Sequence, residues 1–495
     1  MKLKRSLLAF AVTAGLAASA WAASDPSIKV SGRSIEIKNG YTQEMAAQFK
    51  EAAGSIGAGK VTLKLKDVNS EDLAKIMGDF TSYERIYIDS KTLTSIEPLK
   101  NVEISNAVSV DADAVSNYDM LAKFKDLDSI HIKSKGLTTL KWMNPMIHLQ
   151  NVDITADSLK SIDGLPDAPK VHMASINNAD IPDLTPANKF STAKVLNFRY
   201  ANIKDFTPLA ANKLTEELSL YGATVSDFTP LAAMPALKKV DVYASKGGNY
   251  QTLGALTQVT TIHTGMTAMD SIEWVKKTPN LKELRLFSEK IADYTPVNGS
   301  GIENLTIWSM RLPVDLSQIK GASKLKVLTL WSCTKDNPVT NTAAIAELTS
   351  LEKMEVLGLN TCNSNLDGKF AAGLKNLKQL SIDKVPEITS PESLGSLESL
   401  EKLKIARVSK SVDLAFLAKL KKLTSLELTE VEVTNFDASA LTALTSVDIS
   451  KATGITTLKS LKALPALKTL TVKKGAFSAE ELSGFANEKI RINER

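Results

Sequence analysis

Between residues 196 and 330 one apolar pattern returns at almost constant spacing. The pairs Leu196/Phe198, Leu218/Leu220, Val240/Val242, Ile262/Thr264, Leu284/Leu286, Leu305/Ile307 and Leu328/Leu330 follow at intervals of 22, 22, 22, 22, 21 and 23 residues. Leu380/Ile382, Leu403/Ile405, Leu426/Leu428, Val447/Ile449 and Leu470/Val472 carry it toward the C-terminus. Less regular stretches start at Leu63, Ile86, Val102, Ile130, Val152 and Val171. Near residue 355 two registers fit, Met354-x-Val356 and Leu357-x-Leu359. A chain of 495 residues suggests about three domains by length, but an internal repeat overrides that expectation.

A short strand points alternate side chains to opposite faces, so each pair points one way. One such strand cannot bury its pair. Stacked in parallel on its neighbours it can, and the pairs join into a continuous apolar column. The expected fold is an α/β solenoid, a horseshoe or arc. Its parallel sheet lines the concave face, and short helical, 3-10 or irregular returns form the convex face. About 20 strands at roughly 4.8 Å spacing give a sheet on the order of 95 Å long.

The units resemble leucine-rich repeats, in particular the 22-residue internalin type. The resemblance rests on Leu-x-x-Leu-x-Leu followed by apolar-x-x-apolar-x-Pro-Leu returns. Ile203, Phe206, Pro208 and Leu209 show the return, as do Val225, Phe228, Pro230 and Leu231. Ile291, Tyr294, Pro296 and Val297, and Leu93, Ile96, Pro98 and Leu99, repeat it. The resemblance implies a protein ligand bound by the concave face. It departs where the family carries an asparagine that bonds the turn backbone. Here Ala201, Ala223, Cys333, Val408, Val431 and Ala452 stand in that place. Residues 476–495 read as neither an immunoglobulin-like module nor a Leu-Pro-x-Thr-Gly wall anchor, so a wall-anchored role is not the expectation.

The ends read differently. Lys2, Lys4 and Arg5, the apolar run Leu7 to Leu16 and the Ala20-Trp21-Ala22 site describe a cleaved signal peptide over residues 1–22. The expectation is an exported protein, periplasmic or secreted, with no integral membrane segment. Residues 23–82 read as an N-terminal α/β cap and first rung. It holds a hairpin around Gly32 and a helix from Thr42 to about Ala53. Repeats span 83–475. Residues 476–495 read as a C-terminal cap, with a helix opened by Ser478 and a last strand near 489–493.

The formal charge of +5 falls to +2 once the leader's three basic residues are removed. That balance leaves no field for phosphate backbones, so nucleic acid is not an expected partner. No Gly-x-Ser-x-Gly, His-Glu-x-x-His or Cys-x-x-Cys is present, and no cofactor or catalytic residue is expected. A hydrolase would need a nucleophile, a histidine and a carboxylate brought together from distant rungs. Gly54 to Val61 approaches a P-loop, yet Val61 follows Lys60 where Ser or Thr must bind magnesium, and helix precedes strand. His131, Asp153 and His172 read as one outward column, a candidate metal or proton ladder. Its two histidines would lie roughly 9.6 Å apart, so a solvated polar face is the expectation. Cys333 and Cys362 are expected as two buried thiols, with a disulfide as the alternative in an oxidising compartment.

The sharpest signal is aromatic. The residue after the second inward apolar reads Arg199, Tyr221, Tyr243, Gly265, Phe287, Trp308 and Trp331 on successive middle rungs. Tyr200 lies beside Arg199, and Asp241, His263 and Arg285 fill the neighbouring column. Alternation puts these residues on the outward face as a strip about 25 Å long. Contiguous exposed aromatics with a polar rim mark a contact surface. Later rungs carry Asp383, Ala406, Thr429, Ser450 and Lys473 there, so the strip is local. A protein ligand is the leading expectation and an envelope polysaccharide or other glycan the alternative. Mutual stacking that only stabilises the sheet competes with both.

Overall fold

The structure, a computed structural model, describes residues 25–287, 290–308, 311–331, 333–359, 363–485 and 490–495. The proposed leader and Cys362 lie outside the described residues. The core element is a 23-stranded sheet. Ser27–Ser31 pairs antiparallel with Ser34–Lys38 around Gly32. From Ser34–Lys38 the rungs pair in parallel, each with the next, as far as Arg491–Glu494. Leu196 stands opposite Leu218, and the column continues through Val240, Ile262, Leu284, Leu305 and Leu328. Every member is buried. One continuous core therefore runs along the stack.

Two N-terminal rungs start elsewhere than the apolar pattern suggests. Val108, not Val102, pairs with Ile86 and Ile130. Val102 is also buried, but it ends the 3-10 return Glu97–Asn101. Ala174, not Val171, sits between Val152 and Leu196. Val171 occupies the buried position three residues earlier, which Leu237, Val259 and Leu281 fill in later rungs. The small Ala174 hides the true rung. At the ambiguous rung Met354 pairs with Leu328 and Leu380, which leaves Leu357 in the outer column beside Trp331 and Asp383.

The returns follow from a local device. In Asp-x-Thr-Pro the carboxylate oxygen of Asp205 accepts from the Thr207 amide at 2.8 Å, and Asp227 and Asp293 serve Thr229 and Thr295 likewise. Proline, with no amide to satisfy, fits the first turn of the 3-10 helices Thr207–Ala211, Thr229–Ala233 and Thr295–Val297. Phe206, Phe228 and Tyr294 enter the core just before them.

At Ala201 and Ala223, two of the positions without asparagine, the main chain pairs with the next rung. Asn202 N–H donates to the Ala179 carbonyl, Thr224 to Ala201 and Lys246 to Ala223, at 2.9, 2.9 and 2.8 Å. A second, shorter parallel ladder thus runs just after these positions. Ala201 and Ala223 are small enough to lie buried beneath it.

At the N-terminal end Thr42 caps the helix Gln43–Ile56, accepting from Met45 N–H, with Met45, Phe49 and Ala53 buried. At the other end Ser478 caps Ala479–Ser483, and Arg491–Glu494 closes the sheet. Cys333 is disulfide-bonded rather than a free thiol, which corrects the expectation of two reduced cysteines. Among the described residues no helix is long and apolar enough to cross a membrane.

Phe228 is fully buried inside its return. Phe228→Ala should cost about 3–5 kcal/mol and lower the urea midpoint correspondingly. A loss below about 1 kcal/mol would mean that the return does not pack as described.

Candidate ligand-binding face

The outward columns of the sheet are fixed by the same register as the core. Gly265, Phe287, Trp308, Trp331 and Leu357 stand opposite one another in turn. Tyr221 and Tyr243 lie just past the short strands Glu217–Ser219 and Lys239–Asp241. The ladder nevertheless continues through them. Tyr200 N–H donates to the Tyr221 carbonyl at 2.7 Å, Gly222 to Tyr243 at 2.8 Å, and Met266 to Phe287 at 2.6 Å. The aromatic residues expected in one column are therefore brought together.

Six rings form an unbroken series. Tyr200 meets Tyr221 edge-on at 5.2 Å between centroids, and Tyr221 stacks on Tyr243 at 5.0 Å and 12°. Tyr243 meets Phe287 at 5.8 Å, Phe287 meets Trp308 at 5.7 Å, and Trp308 meets Trp331 at 5.8 Å, all edge-on. The ends of the series are open, with Tyr200 56% and Trp331 41% exposed. The four rings between them are half-buried against each other, on the face opposite the core. Trp142 and Trp274, by contrast, are core residues.

Two glycines make the series possible. Tyr243 and Phe287 are two rungs apart, with Gly265 between them. A Cβ on Gly265 would lie 2.5 Å from the Phe287 Cβ and 2.5 Å from the Tyr243 ring, so the rings close over a missing side chain. Gly222, at φ +68, leaves room for the Tyr200 ring, which its Cβ would meet at 2.3 Å. Tyr200, Ala244 and Met266 follow the column with φ of 55, 55 and 53°. This left-handed step costs a non-glycine residue roughly 1–2 kcal/mol. It turns the chain out of the strand and leaves Tyr200 and Met266 exposed.

The neighbouring column reads Asp241, His263, Arg285 in register. The Asp241 carboxylate accepts from the Tyr243 amide at 3.0 Å and so helps to place that ring. Glu283 gathers His263 Nε2 at 3.2 Å and Arg285 Nε at 2.7 Å on one oxygen. Burial and the Arg285 charge hold the His263 imidazole below its ordinary value, against the pull of Glu283. Arg199 is exposed at the N-terminal end of the strip, its amide donating to Asn177 Oδ1 at 3.1 Å.

The proposed histidine ladder does not form. His131 pairs with Asp153, its Nδ1 2.9 Å from the carboxylate, but the next rung places Ser175 in that column. His172 precedes the strand Met173–Asn177, a consequence of the Ala174 register. The hydrogen bond to Asp153 raises the His131 value. Leu357, Gly222 and Gly265 are strip components that a search for aromatics misses. A glycine inside an otherwise aromatic column was the available signal.

Gly265→Ala should separate Tyr243 from Phe287, weaken the near-ultraviolet circular dichroism of the strip and destabilise by about 1–3 kcal/mol. An unchanged spectrum and melting point would refute the closure. The two imidazoles should titrate on opposite sides of about pH 6.5, His131 above and His263 below. The His131–Asp153 pair then stabilises the fold below that pH, and its contribution disappears as pH rises through the folded value. Both side chains are substantially exposed, so the effect is small. Asp153→Asn should lower the His131 midpoint in an NMR titration; no change would refute the pair.

No family model matches this sequence, and no curated protein matches it. Solved structures do. The chain superposes on TLR13 from its complex with ssRNA13 with TM-score 0.55 and 14% identity, over 90% of this chain and 79% of that one. It superposes on the Toll–Spatzle complex of Drosophila with TM-score 0.57 and 11% identity, over 90% of this chain and 62% of that one. An internalin from Listeria monocytogenes matches at 16% identity, over 76% of this chain and 88% of its own, with TM-score 0.39. At such identities the first two likenesses concern the fold alone, and with the parallel ladder and its buried columns they establish that this chain has a leucine-rich-repeat solenoid fold.

Proposed function

We propose that this protein is an exported binding scaffold, without catalysis, that recognises a protein ligand through the aromatic strip. The observation that carries the reading is the unbroken contact of six rings on the outward face, open at Tyr200 and Trp331. Rings that already touch lose little freedom when covered, so little ordering cost opposes binding. Tyrosine and tryptophan are also the residues most enriched among interface anchors. Tyr221, Tyr243, Phe287, Trp308 and Trp331 supply apolar area, with Tyr200 at the rim. Arg199, Asp241, His263 and Arg285 give charge matching and orientation. The basic, apolar and small-residue segments of residues 1–22 support export, and residues 23–82 and 476–495 act as the caps that close the stack.

Capture from envelope and extracellular fractions with immobilised mature protein tests this reading. Trp308→Ala combined with Trp331→Ala should weaken ligand capture at least tenfold, about 1.4 kcal/mol or more, with the melting transition retained. Undiminished capture by the double variant, or collapse of its fold, would overturn the anchoring role.

A further inference from the structure

Beside the strip the sheet face carries a basin of about 310 Å³, the small end of the range for ligand sites. Its origin lies in one column. After Asp241, His263 and Arg285 the column drops to Thr306 and Thr329 on two consecutive rungs before Glu355 restores bulk. The two threonines form the floor. Phe287 and Trp331 stand on one side and Asn304 on the other. Arg285 with Glu283 bounds the N-terminal end, and Lys353 with Glu355 the C-terminal end.

The chemistry of this lining is specific. Its charges are compensated internally, Arg285 Nε by Glu283 at 2.7 Å and Lys353 by Glu355 at 2.8 Å. It therefore offers no net field to an ion. Its hydrogen-bonding groups, in contrast, are not taken up within the lining, with Thr329 buried at the base. The Thr306 and Thr329 hydroxyls, the Asn304 amide and the terminal guanidinium nitrogens of Arg285 have no partner among the described residues. An amino-acid side chain would use one or two of these groups. A pyranose carries a hydroxyl on most ring carbons and an apolar C–H face, so it can use several while lying on Trp331.

We propose that this basin holds one ring of a neutral saccharide, its C–H face on Trp331 and its hydroxyls on Thr306, Thr329, Asn304 and Arg285. The assignment goes beyond protein recognition by the strip, with which the basin shares Arg285, Phe287 and Trp331 but not Tyr200, Tyr221 or Tyr243. The mature protein is titrated with maltotriose, cellotriose and triacetylchitotriose, read by tryptophan fluorescence and saturation-transfer NMR. At least one trisaccharide should bind with a Kd of about 1 mM or tighter. Thr306→Phe, which fills the basin from the outward face, should abolish that binding, and Asn304→Ala should weaken it about fivefold if the first variant does not fold. The Tyr221 ring meets those of Tyr200 and Tyr243, neither of which lines the basin. Tyr221→Ala should therefore leave saccharide binding intact while reducing protein capture, which separates this proposal from the strip. No binding of any of the three sugars at about 10 mM overturns the proposal, as does binding unchanged in Asn304→Ala and in folded Thr306→Phe. Binding of N-acetyltyrosinamide in place of all three sugars reassigns the basin to a partner's side chain and equally overturns it.

Discussion

The parallel main-chain ladder between successive rungs is the constraint on which the molecule depends. No rung can cover its own inward pair; Leu218 is buried because Leu196 and Val240 flank it. Stability in such an array is a sum of nearest-neighbour terms, so it belongs to the stack rather than to any unit. The ladder also fixes the outward columns. A slip of one residue would turn the apolar pair to solvent and the aromatic residues into the core.

That coupling explains what could be read from the chain directly. Where the inward pair is bulky and its spacing constant, as from Leu196 to Leu330, sequence alone locates each rung, and alternation then places Tyr221, Phe287 and Trp308 in one outward column. Where the inward residue is small, as at Ala174, a buried valine three residues earlier takes its place in the pattern. The same slip puts His172 into a column it does not occupy. Ring-to-ring contact was less legible, because it depends on Gly265, a residue that contributes only the space it leaves empty. The basin was not legible at all, for it arises where threonines interrupt a bulky column.

Self-stacking and recognition are compatible in the strip. Each ring pair adds about 0.5–1.5 kcal/mol beyond its buried area, and the same contacts hold the rings in one arrangement. Asp241 holds the backbone of Tyr243, and the two glycines set how closely neighbouring rings approach. A face assembled in this way carries its rings in mutual contact, with exposed ends at Tyr200 and Trp331.

The second ladder, through Ala179, Ala201 and Ala223, has a consequence for descent. A turn held by side-chain amides must keep its asparagine, and that letter then marks every copy of the unit. A turn held by peptide groups accepts any apolar residue that fits, such as Ala201, Ala223, Val408 and Val431, and the peptide group is common to all amino acids. Copies of this unit are free to drift apart in spelling while the architecture persists, so kinship among such chains survives in shape after it has faded from the alphabet.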